Sequence, residues 1–237
     1  MNKLYFKSII KMIIKSKNVH NIFPESGIIF IHIPKTGGTS INNFLLDLRN
    51  NDVSIEDKKK YYYYEELKRE KISSKHGKAR DYQKIIDNNL WDKSFKIASV
   101  RNPWDLMVSS YHWWLQEGFK FHRCRHMYND ISNMKFNEFI NSPYGTYMIN
   151  DAVGNIENWI HDENGNNILN GLIRLEYFEE DFKNLINKSK IKLTGIGNLP
   201  KLNTTNHNNY QEFYNSDAKN VIEKRFKFLI ENYGYKF

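Results

Sequence analysis

The sequence predicts an α/β fold, a mostly parallel sheet flanked by helices. Three stretches carry that prediction. A short apolar run, Ile28 to Ile33, passes through a polar turn into a helical pattern. Phe95 to Val100 does the same, and Ile168 to Glu176 does so a third time. Strands that alternate with helices and end in polar turns are the pattern of a parallel sheet covered by helices.

The first unit is the most informative. Pro34 ends the run from Ile28 by removing a ladder donor. Lys35-Thr36-Gly37-Gly38-Thr39-Ser40 then forms a compact turn, and Ile41, Phe44, Leu45 and Leu48 fall at i, i+3, i+4 and i+7 of a following helix. A helix start has N–H groups without intrahelical partners and a positive dipole end. Gly37 and Gly38 allow close backbone approach, Lys35 adds a cation, and Thr39 and Ser40 add hydroxyls. The turn therefore reads as a phosphate cradle, beside the plainer reading of a βα turn with a polar cap. It is not a Walker A loop, because Lys35 precedes the glycines instead of following them. A nucleoside triphosphate is thus not the first choice of ligand.

Length and composition set the frame. The 237 residues suit one α/β domain, expected over residues 21–237, with a core large enough to need no staples. A single cysteine, Cys124, rules out an intrachain disulfide and allows a cytoplasmic setting. Lysine and arginine total 35 against 27 acids, a formal charge of +8, which favours anionic ligands or surfaces. No apolar run approaches the ~20 residues of a membrane span. Residues 1–20 carry five lysines and no acid, interleaved with isoleucines. They read as a basic helix or tail, either touching a membrane surface peripherally or simply packed or frayed.

Beyond the first helix, residues 49–75 look like a polar insertion. Lys58-Lys59-Lys60 leads into Tyr61-Tyr62-Tyr63-Tyr64, which reads as a surface strand or helix with an aromatic side turned inward, or as a stacking platform for sugars. His76-Gly77 marks a turn before a helix through Tyr82, Ile85 and Ile86. In the second unit, Arg101-Asn102-Pro103 breaks the strand. Trp104, Met107, Val108, Tyr111 and Leu115 then resume helical spacing, with Asp105, Ser109, His112 and Gln116 on the opposite face. Arg101 lies at the strand's C-terminal edge, where open α/β sheets bind ligands, and arginine suits bidentate phosphate capture.

The remainder is less patterned. His122-Arg-Cys-Arg-His126 does not match zinc spacings and reads as a basic loop. Phe178, Phe182, Leu185 and Ile186 give the helix of the third unit, Gly195 to Tyr210 a long loop, and Asp217 to Ile230 a last helix with Asp217 as its N-cap.

The two polar turns together resemble a known family. Ile31-His-Ile-Pro-Lys-Thr-Gly-Gly-Thr-Ser40 resembles the 5′-phosphosulfate loop of sulfotransferases that use 3′-phosphoadenosine 5′-phosphosulfate (PAPS). Val100-Arg-Asn-Pro-Trp-Asp-Leu-Met-Val-Ser-Ser-Tyr111 resembles their 3′-phosphate motif. The nearest look is to the Golgi-type carbohydrate branch and its bacterial relatives, which include the heparan sulfate uronyl 2-O-sulfotransferases. Ile173-Arg-Leu-Glu176 and Leu199-Pro-Lys-Leu-Asn-Thr204 extend the likeness to roughly residues 27–237.

The resemblance implies a P-loop-NTPase-like sheet and transfer of a sulfuryl group from PAPS to a carbohydrate hydroxyl, with no metal. It implies that Lys35, Thr36, Gly37, Gly38, Thr39 and Ser40 hold the 5′-phosphosulfate, and that Arg101 and Ser109 hold the 3′-phosphate. It implies a general base at His76, in Ser74-Lys-His-Gly-Lys-Ala79, and a catalytic role for Lys35. His112 and Asp81 are the rival bases. One departure is Leu106, where many relatives have arginine. A P-loop-like kinase or NTPase, and a non-catalytic glycan-binding protein of the same fold, are the alternatives. Nucleic-acid binding has only net charge behind it.

Overall fold

A computed structural model describes residues 20–72, 75–120, 125–147, 155–189, 191–200 and 209–237. Expectations for residues 1–19, Ser74, His122, Cys124 and residues 201–208 lie outside the described residues.

The chain runs β1 (Ile22–Phe23), β2 (Ile28–Ile31), α1 (Gly38–Leu46), β3 (Arg49–Asn50), α2 (Ile55–Lys71), α3 (Ala79–Ile85), α4 (Asn88–Lys93), β4 (Phe95–Val100) and α5 (Pro103–Glu117). There follow α6 (Arg125–Ser132), α7 (Phe136–Asn141), α8 (Pro143–Tyr147), α9 (Glu157–Ile160), β5 (Gly171–Arg174), α10 (Phe178–Ser189), β6 (Leu193–Thr194), α11 (Ser216–Arg225) and α12 (Lys227–Tyr233). The main sheet has the order β1-β2-β4-β5. β2, β4 and β5 are parallel, with Ile31 opposite Ala98 and Val100 opposite Arg174, and β1 joins β2 antiparallel. The expected mostly parallel sheet flanked by helices is therefore present. β3 and β6 form a separate antiparallel pair.

The period-2 alternation of strand side chains divides the interior into two cores. Ile28, Phe30 and Ile97 point to one, where α1 and α10 supply Ile41, Phe44, Leu45, Phe178 and Phe182. Phe44 meets Phe178 and Phe182 edge-on, each at 5.1 Å. Burying a phenylalanine of this kind stabilises by roughly 1.5–3 kcal/mol over leaving it in water. Ile29, Ile31, Ala98 and Val100 point to the other core, beside Tyr61, Tyr82, Trp91, Trp104 and Met107. Because both faces are covered, every residue of β2 and β4 is buried. The buried stem of Lys96 leads its amine out to the carbonyl of Trp91 at 2.8 Å.

The tyrosine run lies on α2. Ser54 caps this helix by accepting from Asp57 N, with acids in its first turn and bases in its last. Tyr61 is buried and its hydroxyl meets Ser94 Oγ at 3.0 Å, while Tyr62 and Tyr64 donate to Glu25 and Asp87. Only Tyr63 stands well exposed, at 58%, so three of the four hydroxyls serve the fold instead of forming a platform.

Three expectations are corrected. The third strand is Gly171–Arg174, shorter than Ile168 to Glu176, because Ile168 N is drawn to the carbonyl of Ile160 and Leu175–Tyr177 closes into a 3₁₀ turn. The long loop ends before Tyr210, which opens a 3₁₀ turn to Phe213. The last helix is two helices, broken at Phe226, and its N-cap is Asn215, whose side chain accepts from Ala218 N. Leu106, the departure from the family pattern, is 1% exposed in the core.

Candidate functional site

The three parallel strands all end at one edge, and the polar turns gather there. After β2 the chain passes through Lys35, at φ 66°, the one non-glycine with positive φ among the described residues, and Gly37, at φ 79°. These two left-handed residues fold the segment tightly enough to start α1 at Gly38. The N-cap of α1 is Gly37, which has no side chain to cap it, and its first turn holds no acid. A helix start of this kind turns N–H donors and the positive dipole end towards the sheet edge.

The residues of the turn differ in what they contact. Thr36 is fully buried. Its hydroxyl donates to the carbonyl of Ile33 at 2.9 Å and lies 2.8 Å from Ser99 Oγ, which also reaches Thr36 O at 2.9 Å. Two hydroxyl hydrogens thus serve three contacts that stitch the turn to β4, and the Thr36 side chain points into the fold instead of towards a ligand. The glycines are needed for packing as well as for access. A Cβ on Gly37 would stand 2.4 Å from Leu175 Cδ1, and one on Gly38 would stand 2.0 Å from His32 Nε2. Thr39 is half-buried and Ser40 buried at the helix start.

Lys35 carries its amine 5.2 Å above the centre of the Trp113 ring. Burial, then the charges of Arg101 and Lys75, bring its pKa down from 10.5 to about 7, against an opposing pull from Glu117. Arg101 follows β4 directly. Its Nε donates to Asp105 Oδ2 at 2.7 Å and its Nη1 to the carbonyl of Lys35 at 3.3 Å. α5 begins at Pro103 behind an Asn102 cap whose side chain accepts from Trp104 N and Asp105 N. Ser109 lies on α5 and is buried, at 3% exposure, so the face expected to be polar is partly interior.

His76 reaches the same region from the other side. Its Nδ1 lies 2.8 Å from the carbonyl of His32, and the two rings meet edge to face at 4.6 Å and 72°. Burial lowers its pKa below 6.5, the charges of Lys75 and Lys35 add to that, and the bond to His32 opposes it. A buried polar network holds its segment in place. Glu65 accepts from the N–H groups of Asn21 and Ile22, and Lys68 bridges Glu65 at 3.3 Å and Asn21 Oδ1 at 2.8 Å. Asn21 Nδ2 in turn donates to Phe30 O and Lys75 O, next to His76. The rival bases have other engagements. His112 packs its ring 5.1 Å from that of Phe213, and Asp81 accepts from Lys78 N at the start of α3.

Two groups at this edge carried little weight in the sequence. His32 interrupts an apolar strand run, and that lone polar position was its only signal. Glu176 accepts from Asn102 N at 2.6 Å and from the hydroxyl of Tyr235 at 3.1 Å. It thereby binds the Arg101 turn to the C-terminal segment, where Asn102 Nδ2 also donates to Lys236 O at 3.1 Å.

A family model described as "Sulfotransferase family" matches residues 20–236. The chain belongs to the sulfotransferase family. Sulfotransferases move a sulfuryl group from a nucleotide donor to an acceptor, so this protein is a transferase. No curated protein and no solved structure matches the chain. Among the described residues of this sulfotransferase, no group of three or more His, Cys, Asp or Glu is arranged to hold a metal ion. None of its described helices is long and apolar enough to cross a membrane.

Proposed function

We propose that the protein transfers the sulfuryl group of PAPS to a hydroxyl of a carbohydrate or glycoconjugate, in line and without a metal. The observation that carries this reading is the meeting of the two polar turns, with Arg101 bonded to the Lys35 carbonyl beside a helix start whose N-cap is Gly37. One turn suits the 5′-phosphosulfate, through Lys35 and the N–H groups of Gly38, Thr39 and Ser40. The other suits the 3′-phosphate, through Arg101 and Ser109.

In this reading the acceptor oxygen forms a bond to sulfur as the bond to the bridging phosphate oxygen breaks. The acceptor's proton passes to His76, and charge collects on the leaving phosphate. Lys35 and the turn's N–H groups stabilise that charge where it develops. Thr36 contributes its backbone, since its hydroxyl is engaged with Ile33 and Ser99.

The test is calorimetric titration with 3′-phosphoadenosine 5′-phosphate (PAP), followed by transfer of labelled sulfate from PAPS over a set of glycan acceptors. Binding of PAP and labelling of a glycan are expected. Failure to bind PAP, or preference for ATP, overturns the assignment.

A further inference from the structure

We propose that His32 is a positioning residue that holds His76 in one tautomer and one ring orientation. The inference rests on the reading of His76 as the base. A carbonyl oxygen only accepts, so the 2.8 Å contact between His76 Nδ1 and His32 O is a hydrogen bond only when Nδ1 carries the proton. The ring's lone pair then resides on Nε2. The opposite tautomer presents an N–H on that side and cannot take a proton from a hydroxyl.

The His32 side chain does the second half of the work. It is 4% exposed, and its ring is wedged between two partners: the His76 ring at 4.6 Å and the backbone of Gly38, which has no side chain to fill the space. That wedge fixes the plane of the His76 ring, so that Nδ1 stays aligned on the carbonyl that selects it. His32 Nδ1 is buried and has no hydrogen-bond partner among the described residues. An orphaned buried nitrogen is destabilising, so packing alone would be better served by leucine or phenylalanine. His32 also touches the donor turn at Gly38, so one residue registers the base against the cradle.

The experiment uses the full chain with ¹⁵N-labelled imidazoles, and assigns the His76 ring from the signals lost in His76→Asn. In the wild type, two-bond nitrogen–proton spectra above the titration range should show a protonated Nδ1 and an unprotonated Nε2. A protonated Nε2 overturns the proposal without reference to activity.

The second arm is His32→Asn, which keeps the carbonyl and removes the wedge. Both tautomers should then appear, and kcat should fall at least about tenfold, within the range that losing a general base gives. PAP affinity should stay within about threefold. A purely structural role would lower Tm and weaken PAP binding while leaving a single tautomer, and that result also overturns the proposal. If His32→Asn does not fold, His32→Leu takes its place with the same readouts, and a single tautomer with unchanged kcat there overturns the proposal. If His76→Asn keeps full transfer activity, the base reading falls separately, whatever the tautomer.

Discussion

Arg101 donates from Nη1 to the carbonyl oxygen of Lys35 across 3.3 Å, joining two turns that lie 66 residues apart. Asp105 holds the same guanidinium through Nε at 2.7 Å. The arginine is thus oriented before any ligand arrives. If it grips the 3′-phosphate, Arg101→Ala should weaken PAP by about 30- to 150-fold, the equivalent of about 2–3 kcal/mol for charge-assisted bonds. Affinity for the analogue lacking the 3′-phosphate should change little. Calorimetry that finds the same loss for both nucleotides would show that Arg101 only braces the Lys35 turn.

Lys35 gives a proton linkage. Its pKa of about 7 leaves the amine partly neutral near pH 7. A phosphate dianion favours the charged form, so binding should raise that pKa and take up a proton. PAP affinity should therefore be full below pH 7 and decline as the pH rises from 7 towards the ligated value, by up to about tenfold per unit. Titrations in buffers of different ionisation heat measure the uptake directly. Zero uptake at pH 7.5 would mean that the amine is not at the anion.

His76→Ala should lower turnover by ~10²–10⁴-fold while leaving PAP affinity within about twofold. A base must be neutral to work, and burial holds the pKa of His76 below 6.5. The wild-type rate should therefore rise with pH through a value below 6.5, and this acid limb should vanish in the variant. Retention of more than about a tenth of wild-type kcat would remove His76 from the role and turn attention to His112.

Gly38→Ala introduces a carbon 2.0 Å from His32 Nε2, so the buried His32 ring must shift to admit it. Overpacking of this kind costs about 1–3 kcal/mol. Chemical denaturation should show a lower midpoint at an unchanged slope. An unaltered midpoint would mean that the His32 ring moves freely, against its 4% exposure.

Much of this architecture was legible because it depends on local signals. Ile28 to Ile31 and Phe95 to Val100 are apolar because both sheet faces are covered, and the polar turns after them break the pattern sharply. The two-residue strands β1, β3 and β6 escaped because two residues carry no period. The kink at Phe226 escaped because Val221, Ile222, Phe226, Leu229 and Ile230 keep helical spacing through it.

The turn at Lys35 was legible as a break between strand and helix, but not the contacts inside it. Nothing in Thr36 or Gly38 announces Ser99 or His32 as the neighbour that each must satisfy. Contacts such as Asn102 with Lys236 join residues 134 apart, where no sequence pattern operates.

If Lys35 stabilises the leaving phosphate, its left-handed backbone sets stability against activity at a single residue. An L-residue at φ 66° lies about 1–2 kcal/mol above its relaxed state, and glycine does not carry that penalty. Glycine's greater freedom in the unfolded chain returns about half of the difference. Lys35→Gly should therefore melt at a slightly higher temperature than the wild type and yet transfer no sulfate, which thermal denaturation and a transfer assay can check side by side. Selection for thermostability alone, with no assay for transfer, would drive this position towards glycine.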